Sequence, residues 1–191
     1  VDLSVPQLVV PDALAGLTAL AAGLIVGAKE NGLKVVGITG SSGKTSTKDL
    51  VAAVLRSAGN AVAPVGSFNN EVGVPLTATR VDAATRYLVS EMGARARGDI
   101  ATLCRITPPD VGVVINVGHA HLGEFGSVAG IARAKGELVE ALAPAGWAVL
   151  NAEDPNVIAM ASRTSARIAT FGIHGRPEAG DLRVWAEQPS T

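Results

Sequence analysis

The chain has 191 residues, of which 48% are hydrophobic and 17% charged, and its formal net charge is −1. This composition excludes a disordered chain, and the lack of a basic cluster disfavours a nucleic-acid partner. The single cysteine, Cys104, excludes an internal disulfide and is typical of a reducing compartment. Because it lies in an apolar stretch, we interpret Cys104 as a core residue.

The first element is an uncharged apolar segment at 13–28. It is shorter than the ~20 residues that span a bilayer, and no basic region precedes it, so we expect neither a membrane span nor a signal peptide. The segment has leucines at the spacing of one helix face: Leu14, Leu17, Leu20 and Leu24. Asp12 is a candidate N-cap, and residues 29–32 are typical of a helix end. The segment therefore predicts an amphipathic helix.

Strand and helix patterns alternate after this helix. Strands are predicted at 33–38, 60–65, 87–90, 111–117, 147–150 and 167–171, with a weak signal at 182–186. Helices are predicted at 43–58, 99–105, 127–142 and 155–162, the first with an apolar stripe of Leu50, Val51, Val54 and Leu55. This alternation predicts an α/β fold, a mostly parallel sheet with helices on both faces.

The stretch ITGSSGKTST, residues 38–47, joins the first predicted strand to the next helix. The strict phosphate-loop pattern, G-x-x-x-x-G-K-S/T, requires glycine where this chain has Ile38. Backbone N–H groups of 40–44 could still bind an anion at the helix N-terminus. Lys44 would contact the β- and γ-phosphates, and the Thr45 hydroxyl would face Mg²⁺. The alternative is an ordinary turn with a solvated lysine, but the strand–loop–helix context favours a phosphate loop.

Polar residues follow two further strands at the same predicted sheet edge. Glu91 follows the strand at 87–90, where a carboxylate can hold Mg²⁺ directly or through water. The alternative for Glu91 is a solvated acid at a strand end. His119 and His121 follow the strand at 111–117, and their spacing could direct both to one side. Histidine is an unusual Mg²⁺ ligand, so the pair alone indicates a polar or transition-metal site.

A lysine interrupts the apolar stripe of the helix at 127–142. At about 100° per residue, one side carries Ile131, Leu138 and Leu142 with Lys135 at their centre. The opposite side is expected to carry Arg133, Glu137 and Glu140. Either the stem of Lys135 packs while its ammonium reaches the rim, or the amine is desolvated. A desolvated lysine has a lowered pKa and can be modified or contact an anion.

Together these residues resemble the central ATPase domain of the Mur ligases. The family loop, T-G-x-x-G-K-S/T, corresponds to Thr39, Gly40, Ser41, Ser42, Gly43, Lys44 and Thr45. INVGHAHLGEFGS resembles the family segment whose metal-binding histidine follows an asparagine by five residues. Counting from Asn116 assigns that role to His121 rather than His119. ARAKGEL resembles the segment whose lysine is carbamylated in the family, which corresponds to Lys135.

The resemblance implies an ATP-dependent carboxylate–amine ligase that works through an acyl phosphate. The segments GSFNNEVGVPLT (66–77) and EMGA (91–94) most resemble the family member that adds D-Ala-D-Ala to UDP-MurNAc-tripeptide. Another Mur ligase, a folylpolyglutamate synthetase, or a P-loop nucleotide-binding module without ligase activity remain alternatives. The segment Phe68-Asn69-Asn70 distinguishes among the ligases, and Lys135 argues against a simple nucleotide switch.

The implied cofactors are ATP and two Mg²⁺ ions. Thr45 and Glu91 would hold the first ion, and His121 with carbamylated Lys135 the second, with Glu91 nearby. The catalytic residues would be Lys44, Lys135 and His121. The implied cofactor-binding residues are Thr39, Gly40, Ser41, Ser42, Gly43, Lys44, Thr45, Ser46, Asn69, Asn70 and Asn151. Among them, Asn69 and Asn70 are candidates for substrate or metal-water contacts, and Asn151 belongs to LNAEDPN, which resembles a family stretch beside the nucleotide base.

The resemblance covers about 33–175 and also implies a domain organisation. We expect 1–32 to be a leading helix and linker from a missing N-terminal domain. Residues 33–191 would be the ATP-binding central domain, truncated at its C-terminal end. The intact enzyme would be a cytoplasmic monomer, and the isolated chain would be inactive because the family's flanking domains hold the UDP-sugar and complete the nucleotide and amino-acid sites.

Overall fold

The computed structural model describes residue 5 and residues 7–118, 122–172, 177–178 and 180–186. Seven strands are found there: β1 (Lys34–Thr39), β2 (Ala61–Val62), β3 (Tyr87–Glu91), β4 (Val111–Val114), β5 (Trp147–Asn151), β6 (Arg167–Gly172) and β7 (Leu182–Trp185). The helices are α1 (Ala13–Glu30), α2 (Lys44–Arg56), α3 (Gly73–Ala78), α4 (Asp99–Ile106), α5 (Leu122–Phe125), α6 (Val128–Glu140) and α7 (Pro155–Ile158), which continues as a 3-10 turn, Ala159–Arg163.

The strands form one parallel sheet in the order β2–β3–β1–β4–β5–β6–β7. From β1 the chain winds to one side through β2 and β3, then crosses to β4 on the other side. This change of direction at β1 is where open α/β sheets bind ligands. Ile38 lies opposite Glu91 and Thr39 opposite Val114, so the carboxyl ends of β1, β3 and β4 meet at one edge.

Helices cover both faces of the sheet, which confirms the predicted α/β class. On one face α2 packs over a cluster formed by Ile38, Ala52, Ala63 and Val89. The other face carries α1, α3, α4, α6 and α7 over a larger cluster that includes Leu88, Met92, Leu138 and Leu150. Cys104 belongs to this larger cluster, as predicted, and burial raises the pKa of its thiol to about 12. A thiol in that state is inert.

The first helix has the predicted ends but a different buried face. Asp12 Oδ1 accepts from the N–H groups of the first turn at 2.8 and 3.0 Å, which confirms the N-cap. The predicted leucine stripe is wrong, because Leu14, Leu20 and Leu24 are 40–50% exposed. Ala21 and Ile25 are buried instead, since α1 packs along α3 and α4. By length and composition alone, α1 could cross a bilayer.

The apolar stripe predicted for α2 is also wrong in part. Leu50 and Val54 are both 69% exposed, whereas Lys48 and Ala52 are buried. Lys48 can be buried because the segment after β2 supplies acceptors for its ammonium. Hydropathy alone does not reveal such partners, since they come from a different part of the chain.

Candidate nucleotide and metal site

The loop from β1 into α2 has the backbone of a phosphate cradle. Gly43 has a φ of +79°, a conformation that favours glycine. A Cβ on Gly40 would lie 3.1 Å from the Ile115 Cβ and 3.2 Å from the Ser42 carbonyl oxygen. The loop ends at the N-terminus of α2, whose dipole favours negative charge. These features fit a bound phosphate.

Asn116 ties this loop to the end of β4. Its Oδ1 accepts from the Ser41 N–H at 2.8 Å and the Ser42 N–H at 3.0 Å, and its Nδ2 donates to the Ser42 Oγ at 3.1 Å. The Ser41 Oγ accepts in turn from the Gly118 N–H at 2.8 Å. In the sequence, Asn116 served only to locate His121. Its polar side chain near the end of the otherwise apolar predicted strand 111–117 was the available signal.

Lys44, Thr45 and Glu91 meet where the loop enters α2. The Lys44 ammonium donates to the Gly40 carbonyl at 2.8 Å. Burial lowers the pKa of Lys44, and the negative charge of Glu91 opposes this effect. The Thr45 hydroxyl donates to Glu91 Oε2 at 3.0 Å. Glu91 is fully buried, so the alternative of a solvated strand-end acid is wrong.

The two asparagines of the 66–70 segment have different positions. The Asn69 side-chain amide donates to Glu91 Oε1 at 2.8 Å, and the Asn69 backbone carbonyl accepts from the Gly93 N–H at 2.8 Å. Asn70 Oδ1 instead accepts from the Gly73 N–H at 2.9 Å and caps the start of α3. The structure therefore brings Asn69 to the buried carboxylate, while the Asn70 side chain orders the next helix.

Lys135 is buried in the apolar stripe of α6, as predicted. Its relative exposure is 5%, and Ile131, Leu138 and Leu142 are buried beside it. Burial lowers the pKa of Lys135 to about 8, and the positive charge of Lys44 adds to this effect. The low exposure and the lowered pKa favour the desolvated alternative. Because the charge of Lys44 acts on Lys135, α6 and the loop lie close enough for their two lysines to interact.

The predicted outward direction of Glu137 is wrong. Its carboxylate is buried and accepts from the Gly98 N–H at 2.7 Å and the Ala101 N–H at 3.0 Å. These amides open α4, which has no side-chain cap of its own. An anion at a helix N-terminus is stabilised by the free N–H groups there, which explains why the acid is turned inward. Arg133 and Glu140 are exposed, as predicted.

The remaining predicted residues are distributed around the loop. Thr39 is fully buried beneath it, and its hydroxyl donates to the Met92 carbonyl at 2.9 Å. Ser46 is exposed on the first turn of α2. The Asn151 amide bonds within the protein, donating to the Ile115 carbonyl at 3.0 Å and accepting from the Glu153 N–H at 2.9 Å. His119 and His121 lie outside the described residues.

A cavity of about 540 Å³ opens beside the lysine of the loop. Its lining is Lys44, Asn69, Asn70, Glu71, Gly93, Ala94, Arg95, Ala96, Asp99, Thr102 and Leu103. The volume is in the range of small-molecule sites. The lining of the cavity combines charged and amide side chains, which suits a polar substrate group next to the loop.

Oxygen ligands at this edge fit Mg²⁺. Within the described parts of the chain, no cluster of three or more His, Cys, Asp and Glu could form an all-protein metal cage. Thr45 Oγ1 and Glu91 Oε2 lie 3.0 Å apart and offer a hydroxyl and a carboxylate. Mg²⁺ is commonly held by one or two carboxylates and completed by phosphate oxygens and water. The residues therefore suit a metal that arrives with a nucleotide.

Comparison with known proteins agrees with this geometry. The family model of the Mur ligase middle domain matches residues 38–188. The chain is 56% identical over 169 residues to UDP-N-acetylmuramoyl-tripeptide–D-alanyl-D-alanine ligase of Mycobacterium tuberculosis, covering 88% of this chain and 31% of that protein. It therefore spans about a third of the length of the curated relatives it matches.

Solved structures give the same assignment. A crystal structure of MurF from Acinetobacter baumannii superposes with a TM-score of 0.81 and 36% identity, covering 95% of this chain and 39% of that one. The MurF ligase from Thermotoga maritima, in complex with ADP, superposes with a TM-score of 0.76 and 33% identity over 91% of this chain and 39% of that one. The matched region spans most of the sheet and the whole loop from Gly40 to Lys44, so the chain belongs to the Mur ligase family, as its middle domain.

Proposed function

We propose that this chain is the nucleotide-binding part of an ATP-dependent ligase that adds D-Ala-D-Ala to UDP-MurNAc-tripeptide in peptidoglycan precursor synthesis. The observation that carries the proposal is the contact of Thr45 and Asn69 with the two oxygens of buried Glu91, beside Lys44. The names of the similar proteins support the same reaction. The ADP in the Thermotoga maritima complex supports a nucleotide as the ligand.

The residues of the loop would bind the phosphates and orient the reacting group. Amide groups of the loop and the Lys44 ammonium would neutralise phosphate charge, while Thr45 and Glu91 would hold one Mg²⁺. ATP and Mg²⁺ together would activate the peptide carboxylate, a poor electrophile, for attack by the incoming amine. The cavity beside Lys44 would receive the part of the peptide that carries this carboxylate. Catalysis then rests on positioning and charge neutralisation.

Lys135 would contribute as a carbamate near a second Mg²⁺. The neutral amine attacks the carbon of CO₂: an N–C bond forms, one C–O π bond breaks, its electron pair leaves a negative charge on that oxygen, and the nitrogen releases a proton to water. A buried lysine with a lowered pKa offers the neutral amine that this step needs. His121 is proposed as the partner ligand, so His121→Ala should cost more activity than His119→Ala at saturating Mg²⁺. The opposite order would show that the histidines are misassigned.

The rest of the proposal concerns the whole protein. Residues 1–32 would lead in from an N-terminal domain that holds the UDP-sugar, and a C-terminal domain would complete the amine site. The intact ligase would be a monomer in the cytoplasm, without a membrane span. The isolated chain would fold and form no peptide bond, because catalysis by positioning needs both flanking domains.

The test measures ADP release by the full-length protein. Release should require both UDP-MurNAc-tripeptide and D-Ala-D-Ala, and Lys44→Ala should abolish it without altering the circular dichroism spectrum. Lys34→Met, which removes an exposed lysine at the other end of β1, is the matched control and should keep full activity. ATP turnover by Lys44→Ala at the wild-type rate would refute the proposed phosphate loop.

A panel of acceptors distinguishes the alternatives. Another Mur ligase or a folylpolyglutamate synthetase would prefer a single amino acid, such as glutamate, to D-Ala-D-Ala. A nucleotide-binding module without ligase activity would show no ADP release that depends on an acceptor. Preference for D-Ala-D-Ala is the expected result.

A further inference from the structure

A buried lysine on α2 has no part in the proposed phosphate contacts. Lys48 lies about one helical turn after Lys44, and its side chain is only 2% exposed. Its ammonium donates to the Pro64 carbonyl at 2.9 Å and the Gly66 carbonyl at 3.2 Å, and pairs with Asp49 Oδ1 at 2.6 Å. These acceptors can occupy all the N–H groups of an ammonium. Lys48 therefore ties the segment after β2 to the helix that follows the loop.

The tied segment leads directly to Asn69. Gly66 has a φ of +62°, so the chain turns there in a conformation that favours glycine. Three residues further on, the Asn69 side-chain amide donates to Glu91 Oε1 at 2.8 Å, and the Asn69 backbone carbonyl accepts from the Gly93 N–H at 2.8 Å. The segment is thus held by Lys48 at one end and by the end of β3 at the other.

The helix α2 reaches Glu91 by two routes. Thr45 donates directly to Glu91 Oε2 at 3.0 Å, whereas Lys48 acts on the opposite oxygen through the segment that carries Asn69. Glu91 is fully buried, so these two donors determine how its carboxylate is turned. A change at Lys48 should therefore alter the orientation of the Glu91 carboxylate, although the lysine does not touch it.

We propose that Lys48 is a positioning residue that holds the segment 64–69 so that Asn69 keeps Glu91 oriented for the metal–nucleotide complex. The inference rests on the proposed function, in which Glu91 is a Mg²⁺ ligand. The Lys48 ammonium donates to neither of the proposed Mg²⁺ ligands, Thr45 and Glu91, and it acts through the main chain of the segment 64–69. Residues that orient metal ligands from outside typically change metal affinity by about 10- to 100-fold when they are replaced.

The first test is Lys48→Met in the full-length protein, which keeps the apolar stem and removes the ammonium. The probe is a non-hydrolysable ATP analogue, titrated with Mg²⁺ and again with EDTA. The gain in affinity from Mg²⁺ should fall roughly tenfold, while affinity in EDTA should change by less than about twofold. Amide hydrogen exchange should increase in 64–69 and stay unchanged in β4. Lys34→Met should alter neither quantity.

A double-mutant cycle separates positioning from general loosening. If Lys48 acts through Asn69, adding Lys48→Met to Asn69→Ala should cause no further loss of the Mg²⁺ effect. Losses that simply add would refute the inference. Lys48→Gln replaces Lys48→Met if the latter does not fold, because glutamine supplies an amide N–H donor in place of the ammonium. Its loss of the Mg²⁺ effect should be smaller and in the same direction.

The outcomes distinguish this inference from the proposal on which it depends. A wild-type protein without Mg²⁺-dependent nucleotide binding would refute the proposed function and the role of Lys48 with it. A wild-type protein with that dependence, retained in full by Lys48→Met or Lys48→Gln, would refute the role of Lys48 alone. A lower melting temperature with an unchanged Mg²⁺ effect would also refute it, since that is what a purely structural lysine would show.

Discussion

Burial of Lys135 should make the stability of the protein depend on pH. The substitution Lys135→Met removes the amine and keeps most of the apolar stem, so the difference in unfolding free energy between wild type and variant isolates its titration. Burial lowers the pKa of Lys135 from its ordinary 10.5 to about 8. At about 1.4 kcal/mol for each tenfold change in the ionisation constant, this corresponds to about 3 kcal/mol.

The sign follows from proton binding in the two states. Below pH 8 the amine is charged in both the folded and the unfolded protein, so the folded state bears the full cost of burying an ammonium. Between pH 8 and 10.5 the folded protein has lost this proton and the unfolded chain still holds it, so stability increases with pH. Wild type should therefore gain about 3 kcal/mol relative to Lys135→Met across this window.

The assay is urea denaturation followed by circular dichroism, in CO₂-free buffer so that no carbamate forms. Lys34→Met reports what loss of an exposed lysine does over the same pH range. The difference in unfolding free energy between wild type and Lys135→Met could instead stay constant from pH 8 to 10.5. That result would contradict a lowered pKa of Lys135, because it would mean that the folded protein leaves the ammonium hydrated.

Two further predictions concern α6. Glu137→Gln removes the charge that holds the first amides of α4, so the unfolding free energy should fall by about 2 kcal/mol, against less than about 1 kcal/mol for the exposed Glu140→Gln. Equal losses in urea denaturation would show that the buried carboxylate does not stabilise α4. In Gly136→Ala the new Cβ would occupy the position of the Arg163 guanidinium, which donates to two carbonyls of α6. We expect a net loss of about 1 kcal/mol despite the better helix propensity of alanine, and a gain in melting temperature would contradict this.

Local patterns predicted the elements whose apolar periodicity is strong. The strands of the sheet, α2, α4 and α6 all appear within a few residues of their predicted bounds. The helix α3 was missed because its sequence, GVPLTA, contains glycine and proline and extends for only six residues. Asn70 supplies its cap from outside, which is a contact that periodicity does not contain.

Side-chain direction was predictable only in part. Lys135 was found because its neighbours on the stripe are large and apolar. Glu137 was misjudged because α6 is buried on most of its circumference, with α4 packed against it as well as the sheet. Lys48 was missed for a related reason, since its acceptors at 64 and 66 are brought to α2 only by the fold. Polar residues with distant partners thus account for the differences at Glu137 and Lys48.

The most direct test of the proposed nucleotide and metal site is a crystal structure of the full-length protein with a non-hydrolysable ATP analogue, Mg²⁺ and bicarbonate. The phosphates should lie against the loop of residues 40–44, with Lys44 beside them. One Mg²⁺ should contact Thr45 and Glu91, and a carbamate on Lys135 should contact a second. A nucleotide bound elsewhere, or a Mg²⁺ that touches neither Thr45 nor Glu91, would contradict the central claim.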